Sequence, residues 1–387
     1  MNSKKIIPIL TKDSEGKDEC RTLIKVIERP TFILKTREGE NRAISPSQRN
    51  GNKKESESHS SLLTKVIDTR AVLLPCLELS NCIKFMDENM QLSENTLDYL
   101  YDQQDFLVIG SVGAQGVGKS TIMSLLTSDY IPNIFPVQGL SHFQNGVNCT
   151  TGIDFYVTKN RVIYLDTQPI LSGSIVDYSI SFDQKKNTSD FASNESNLEL
   201  QSLQFLAFLF SVCHIIIFIQ DWFVDPNLIR FLQAAEMLKP SSTTTMDQDY
   251  VEYYPHILFL HNKAEIQDFM PSNIRMIKWI FLFKDFYNKT FASSRLQTHS
   301  GLDMSLYPAE NQLNLFLIPL ISTDGESMFY ENENELIAKL RKKIHGISRN
   351  AMTPSNLTEK NWYHYVSKVV EAIKKSHLSS EYGRLMP

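Results

Sequence analysis

At 387 residues, the chain can hold two or three average domains, or one elaborated α/β domain with tails. Its 39 basic and 44 acidic residues give a formal net charge of -5, so neither nucleic acid nor a membrane surface is an expected partner. Five cysteines, an odd number without metal-type spacing, indicate reduced thiols in an intracellular protein and no zinc site.

Residues 1–63 are predicted to be a largely disordered tail. Within them, Arg37–Ser61 is almost free of large apolar residues, so this stretch cannot bury enough surface to offset the entropy of ordering. Residues 64–387 are predicted to form one domain, with a core at 105–346 and a C-terminal helix at 357–377.

From residue 64 onward, strand-like and helix-like segments alternate, which predicts a mostly parallel sheet with helices on both faces. A turn at Lys159–Asn160 joins two of the six strands into an antiparallel hairpin. The most hydrophobic segment, Leu203–Ile219, is interpreted as a buried helix passing into a buried strand, because it is short for a membrane span and contains polar residues. The predicted strands are 106–111, 153–157, 161–165, 214–219, 256–260 and 315–318, and the predicted helices are 121–126, 198–210, 228–238, 274–287, 333–344 and 357–377.

A glycine-rich loop joins the first predicted strand to the first predicted helix. Glycines let the backbone wrap closely around an anion, so that its N–H groups and the helix N-terminus point at phosphate oxygens. Lys119 would supply a mobile positive charge, and the Ser120 hydroxyl would lie where Mg²⁺ bridges the outer phosphates. Together with the hairpin after the first helix, the loop predicts a P-loop GTPase-like α/β domain, the G-fold, that binds a nucleoside phosphate; an ordinary glycine turn is the alternative. The predicted phosphate-binding residues are Gly113, Ala114, Gln115, Gly116, Val117, Gly118, Lys119, Ser120 and Thr121.

Two further loops carry candidate magnesium ligands at the carboxyl ends of strands, where open α/β sheets bind their ligands. Before the hairpin, Thr151 is the preferred candidate to ligate Mg²⁺ and contact a terminal phosphate, although either Thr150 or Thr151 could simply begin the strand. After the hairpin, Asp166 would hold the water shell of the metal, or would serve as an N-cap or turn residue.

The residues after Asp166 depart from the GTPase pattern. Pro169 stands where that pattern has glycine, and Ile170 stands where it has the glutamine that orients the attacking water. Proline has no amide hydrogen to donate to a terminal phosphate. Gln168 lies two positions early and is not assumed to replace the missing glutamine. These departures weaken the case for terminal-phosphate sensing and for fast hydrolysis.

The run His261–Glu265 resembles the Asn-Lys-x-Asp motif that recognises guanine. In that motif the carboxylate accepts hydrogen bonds from guanine, while the lysine stem packs along the base. Glu265 is one methylene longer than aspartate, so Asn262, Lys263 and Glu265 predict a base site whose guanine discrimination is weakened or lost. The alternative is an asparagine that starts a helix, followed by a solvated lysine and glutamate. Ser322–Thr323 would form the remaining loop beside the base.

The segment Leu357–Ile373 spaces Trp362 and several aliphatic residues at helical intervals. It is predicted to pack on the sheet, and a partner groove is the alternative because tryptophan and tyrosine are favoured anchors of interfaces. Trp222 and Phe223 raise the same question.

Several motifs, in order from about residue 83 to the C-terminus, together resemble the SMG-nine subunits of the nonsense-mediated mRNA decay machinery. The unusual proline after Asp-Thr-Gln is among them, and the P-loop alone would not justify the resemblance. The motifs are Gly110–Leu126, Thr151–Phe155, Leu165–Leu171, Gln220–Phe223 and Leu357–Trp362.

The resemblance implies a cytoplasmic regulatory subunit rather than an enzyme. Such a subunit would pair with SMG-eight through their G-like domains, and the pair would bind and restrain a PI3K-related protein kinase that phosphorylates an RNA helicase. The expected cofactor is a guanine nucleotide, GDP or GTP, with Mg²⁺ as its companion ion and with ATP or ADP as the alternative. An active GTPase or ATPase switch with partner-stimulated hydrolysis is the competing function.

Overall fold

The computed structural model describes residues 79–127, 133–172, 191–221, 226–240, 252–276, 294–304, 313–320, 333–377 and 381. The predicted tail at 1–63, Trp222–Phe223, Ser322–Thr323 and most of the predicted helix at 274–287 lie outside these residues.

One sheet of seven strands forms the centre of the described chain, in the order β1-β3-β4-β2-β5-β6-β7. Only β3 runs against its neighbours, since it pairs antiparallel with both β1 and β4 while the other pairs are parallel. The strands are β1 (Ile83–Met86), β2 (Leu107–Val112), β3 (Ile153–Val157), β4 (Val162–Thr167), β5 (Ile215–Gln220), β6 (His256–Ala264) and β7 (Leu315–Pro319).

The predicted count of six strands was therefore too low. All six predicted strands are present, and the additional strand is β1, which pairs with the outer edge of β3. Its four residues carry little pattern of their own. They are fixed by tertiary contacts, among them a stacked pair of the Phe85 and Phe155 rings with centroids 5.8 Å apart.

The helices form two packed groups. The first combines α1 with α5, and the second combines α3 with α4 and α6, an arrangement that fits a mostly parallel sheet covered on both faces. The helices are α1 (Lys119–Thr127), α2 (Leu140–Asn145), α3 (Phe191–Val212), α4 (Pro226–Leu238), α5 (Glu333–His345) and α6 (Glu359–Lys374).

The hydrophobic segment around residue 210 has the predicted structure. Helix α3 ends at Val212 and strand β5 begins at Ile215, and both residues are fully buried. Between them, the Nδ1 atom of His214 accepts a hydrogen bond from the Val108 N–H at 3.0 Å, which ties the helix end to the central strand. Within the ranges described above, no helix has the length and apolarity needed to cross a membrane.

The C-terminal helix packs on its own domain, as the first of the two interpretations predicts. Trp362 is fully buried, its indole N–H donates to the Val212 carbonyl at 3.0 Å, and its ring stacks on Phe85 at 5.7 Å. At the start of α6, the buried Glu359 carboxylate pairs with Arg161 from the β3–β4 turn. This helix is consequently part of the core and not a free anchor for a partner.

Candidate functional site

The glycine loop between β2 and α1 has a backbone that larger residues cannot adopt. A Cβ atom on Gly113 would lie 2.4 Å from the Ile219 carbonyl oxygen, and one on Gly118 would lie 2.4 Å from Asn262 Nδ2. Gly116 and Gly118 also have positive φ angles of 81° and 95°. The sequence therefore uses glycine where the chain must turn tightly against neighbouring strands.

Two side chains from the end of β6 hold this loop from outside. Asn262 Nδ2 donates to the Val117 carbonyl at 2.8 Å, and Lys263 Nζ donates to the Gly116 carbonyl at 2.8 Å. In a trans peptide the C=O and the following N–H point in opposite directions. The N–H groups of Val117 and Gly118 therefore point away from Asn262 and Lys263, into the concave side of the loop, where an anion would meet them.

Lys119 lies at the floor of the loop. Its side chain is buried, and its Nζ atom donates to the Ala114 carbonyl at 2.9 Å. Burial lowers the pKa of Lys119 to about 8, and the nearby Asp166 carboxylate opposes this shift. A charged ammonium group held with so little water would be strongly favoured by an anion bound beside it.

A cluster of oxygen atoms lies next to the loop. Asp166 is fully buried, its Oδ2 atom accepts hydrogen bonds from Ser120 at 2.6 Å and from Thr150 at 3.3 Å, and its Oδ1 atom accepts from Ser111 at 2.9 Å. Burial raises the pKa of Asp166, and the hydrogen bond from Ser120 and the charge of Lys119 act against that rise. Hydroxyl and carboxylate oxygens are the ligands that Mg²⁺ prefers.

The structure brings Thr150, and not the predicted Thr151, to this cluster. Thr151 is exposed, and its carbonyl oxygen accepts a hydrogen bond from Lys84 at 2.6 Å. Thr150 is buried, and the chain turns at Gly152, whose φ is 68°, before it enters β3. The threonine next to the predicted one therefore belongs to the cluster.

A cleft of about 260 Å³ lies between the loop, the residues before β3 and the segment after β4. It unites residues that are far apart in sequence, including Lys263 at the end of β6. Its lining comprises Gly116, Gly118, Lys119, Ser120, Thr121, Val137, Gln138, Cys149, Thr150, Thr167, Pro169 and Lys263.

Four of the predicted loop residues do not line the cleft but support the loop around it, namely Gly113, Ala114, Gln115 and Val117. The Gly113 carbonyl accepts from the Ile170 N–H at 3.2 Å, and the Ala114 carbonyl accepts from Lys119. Gln115 Oε1 lies 3.3 Å from the Ser172 hydroxyl, and Val117 is buried in the core.

Glu265, like Thr151, is a predicted site residue that does not line the cleft. It is exposed and directly precedes a 3₁₀ helix at Ile266–Phe269, and its Oε2 atom accepts a hydrogen bond from Gln267 at 2.6 Å. Its own N–H donates to Asp268 at 2.8 Å. Locally, Glu265 is the N-cap of this short helix. The alternative interpretation of the motif had the asparagine start a helix, whereas Asn262 lies in β6 and donates to the glycine loop.

Sequence reasoning overlooked two polar residues of the site. Ser111 binds Asp166 from the adjacent strand, and Asp221 accepts from Lys263 Nζ at 3.4 Å. Both lie at or near the carboxyl ends of parallel strands, the position that indicates a ligand site in open α/β sheets. That position is the signal by which they could have been found.

Comparison with known proteins defines the family. Residues 102–313 match the family model Smg8_Smg9. The chain is 39% identical over 354 residues to the nonsense-mediated mRNA decay factor SMG9 of Salmo salar, covering 81% of this chain and 69% of that protein. The corresponding protein of Xenopus laevis is 37% identical, with 82% and 69% covered. A bacterial selenocysteine-specific elongation factor, EF-Sec, is a distant structural neighbour with a TM-score of 0.28 and 12% identity, covering 63% of this chain and 29% of that one. The chain belongs to the Smg8_Smg9 family and, within it, to the SMG9 nonsense-mediated mRNA decay factors.

Proposed function

We propose that this chain is a nucleotide-binding regulatory subunit of the kinase complex that acts in nonsense-mediated mRNA decay. It pairs with SMG-eight through their G-like domains, and the pair binds and restrains a PI3K-related kinase that phosphorylates an RNA helicase in the cytoplasm. The joint Smg8_Smg9 description of the matched family supports the pairing.

The observation that carries nucleotide binding is the loop before α1. Its carbonyls are bonded from outside by Asn262 and Lys263, its amides face inward, and the buried Lys119 ammonium lies beneath them. Helix α1 begins at the same point and adds the positive end of its dipole. Three independent sources of positive potential thus converge on one cleft, which is the requirement for holding a polyphosphate.

The oxygen cluster beside the loop fits the magnesium ion that accompanies such a nucleotide. Ser120, Thr150 and Asp166 place hydroxyl and carboxylate oxygens within 3.4 Å of one another. These three residues would hold the ion, which would neutralise charge on the outer phosphates.

A guanine nucleotide, GDP or GTP, remains the first proposal for the ligand. Lys263 lines the cleft and Asn262 supports it, as in the guanine-recognising motif. The Glu265 carboxylate, which would accept hydrogen bonds from guanine, lies outside the cleft and accepts one from Gln267 instead. This favours the alternative that ATP or ADP is bound as well.

Retention of the nucleotide without turnover is the proposed mode of action. Pro169 lines the cleft but has no N–H to donate. Gln168 is buried, and its side-chain oxygen accepts from the Gly152 N–H at 2.7 Å, so it is not available to orient an attacking water. A ligand at 100 times its dissociation constant would stabilise the folded chain by about 2.7 kcal/mol without any catalysis.

The test is to denature the purified chain and to identify any released nucleotide by chromatography. We expect close to one nucleotide per chain in the wild type and none in Lys119→Met, with exposed Lys342→Met as the matched control. Multiple-turnover hydrolysis should stay at background with and without SMG-eight. A wild-type chain that releases no nucleotide and binds none when it is added would overturn the proposal, and rapid turnover would replace it with the active switch.

A further inference from the structure

The segment from Thr167, the last residue of β4, to Ser172 passes beside the cleft and is hydrogen-bonded along its length; we call it the strap. The Thr167 hydroxyl donates to the Ser111 carbonyl at 2.7 Å, and the Leu171 N–H donates to the Ser202 hydroxyl at 3.1 Å. Ile170 is bonded to the glycine loop, and Pro169 has no N–H to satisfy. The strap therefore has little freedom to move independently of the loop and of α3.

Gln168 makes the central contact of the strap. Its backbone N–H donates to the Gly152 carbonyl at 2.8 Å, while its side-chain Oε1 accepts from the Gly152 N–H at 2.7 Å. Both polar groups of Gly152 are thus held by one residue. Gly152 cannot be replaced without a clash, because a Cβ atom there would lie 2.2 Å from the Met86 carbonyl oxygen. Thr150, the threonine of the oxygen cluster, lies two residues before this contact.

The same side chain extends the connection to the edge of the sheet. Gln168 Nε2 donates to Gln201 Oε1 at 3.3 Å, and Gln201 Nε2 donates to the Glu88 carbonyl at 2.8 Å. At the far end of the strap, the Ser172 hydroxyl donates to Asn148 Oδ1 at 3.0 Å. The residues on both sides of Thr150 are therefore joined to the strap.

We propose that Gln168 is a positioning residue that locks the strap to the residues before β3, so that the site retains a nucleotide without responding to its terminal phosphate. A conformational switch needs segments with two arrangements of similar free energy. Here a buried side chain, with its oxygen and its nitrogen both hydrogen-bonded, occupies the junction between the two segments that would have to separate. The site then binds nucleoside diphosphates and triphosphates with similar affinity, and both dissociate slowly. This inference rests on the proposed nucleotide binding and assigns how that site is regulated.

The test compares nucleotide release from the full-length wild type with release from Gln168→Met, Gln168→Glu and Gln103→Met. Methionine removes both hydrogen bonds of the Gln168 side chain at nearly constant volume, while glutamate keeps the oxygen that accepts from Gly152. Gln103 is exposed, so Gln103→Met is the matched control. The readouts are the dissociation rates of fluorescent GDP and GTP, repeated with the adenine pair, and hydrogen exchange at the Gly152 amide.

We expect Gln168→Met to release both nucleotides about tenfold faster, as the loss of a buried hydrogen bond implies, with Gln168→Glu in between. The Gly152 amide should be protected in the wild type, whichever nucleotide is bound, and should lose protection in Gln168→Met. Wild-type release rates in Gln168→Met, or protection of residues 150–152 that differs between diphosphate and triphosphate, would overturn the lock. If Gln168→Met does not fold, the protection of residues 150–152 in the wild type, compared between diphosphate and triphosphate, still tests the lock, and Gln201→Met tests the bond from Gln168 Nε2.

Failure of the lock and failure of nucleotide binding give different results. A wild type that binds no nucleotide refutes the proposed function, yet exchange at the Gly152 amide still reports whether Gln168 holds it. A wild type that binds nucleotide but leaves Gly152 unprotected refutes the lock alone.

Discussion

Replacing Lys119 with methionine should change stability in a way that depends on pH and on nucleotide. The side chain is 7% exposed, and burial lowers its pKa from 10.5 to about 8. At about 1.4 kcal/mol for each pH unit, keeping this lysine charged in the folded state costs about 3 kcal/mol. Methionine has a similar length and no charge, so the variant without nucleotide avoids that cost.

The sign of the effect follows from proton binding. Between pH 8 and 10.5 the unfolded lysine keeps its proton while the folded one loses it, so the wild type becomes more stable as the pH rises through this window. Below pH 8 both states are charged and the penalty is fully present. The difference in unfolding free energy between Lys119→Met and the wild type should therefore shift by about 3 kcal/mol, in favour of the wild type, from pH 7 to pH 10.5.

The assay is urea denaturation of the nucleotide-free proteins at several pH values, with exposed Lys342→Met as control. Burial also lowers the pKa of Lys239 to about 8. Because Lys239 is present in every protein compared, its contribution to the pH dependence cancels in the difference between variant and wild type. Added nucleotide at 100 times its dissociation constant should stabilise the wild type by about 2.7 kcal/mol and the variant not at all. A difference between Lys119→Met and wild type that stays the same at pH 7 and pH 10 would refute the reasoning.

Three other substitutions test separate parts of the site and the fold. Gly118→Ala should lower nucleotide affinity at least tenfold, because its positive φ and the contact at 2.4 Å both resist a Cβ atom, whereas Gly139→Ala should leave affinity measured by calorimetry unchanged. Thr150→Val should weaken the effect of Mg²⁺ on nucleotide affinity, whereas Thr151→Val should not. The reverse result would show that Thr151, as the sequence predicted, is the threonine that ligates Mg²⁺. Glu359→Ala should cost about 3 to 5 kcal/mol in urea denaturation, because it leaves a buried arginine without its partner, and a loss below about 1 kcal/mol would contradict this.

The parts of the fold that the sequence could predict are those set by local signals. Strand β2, the glycine loop and α1 follow from an apolar run, closely spaced glycines and a helix-forming segment. Strand β1 has no such signal, and its four residues are held by their pairing with β3 and by the packing of Phe85 and Met86 in the core. Its existence depends on tertiary contacts that no local pattern records.

The site shows the same division. Motif spacing predicted that Lys119 and Ser120 lie at the loop, and the place of Asp166 at the end of a strand predicted that it lies nearby. The sequence could not choose between Thr150 and Thr151, because the choice depends on how the chain turns at Gly152, where φ is positive. Nor could it place Glu265, whose hydrogen bonds are made within a short 3₁₀ helix.

The most direct test of the account is a crystal structure of the full chain grown with Mg²⁺ and a saturating guanine or adenine nucleotide. The account predicts phosphate oxygens against the amides of Val117 and Gly118, the Lys119 ammonium beside them, and the metal next to Ser120 and Asp166. A cleft without nucleotide under these conditions, in a chain that is otherwise folded as described, would contradict it.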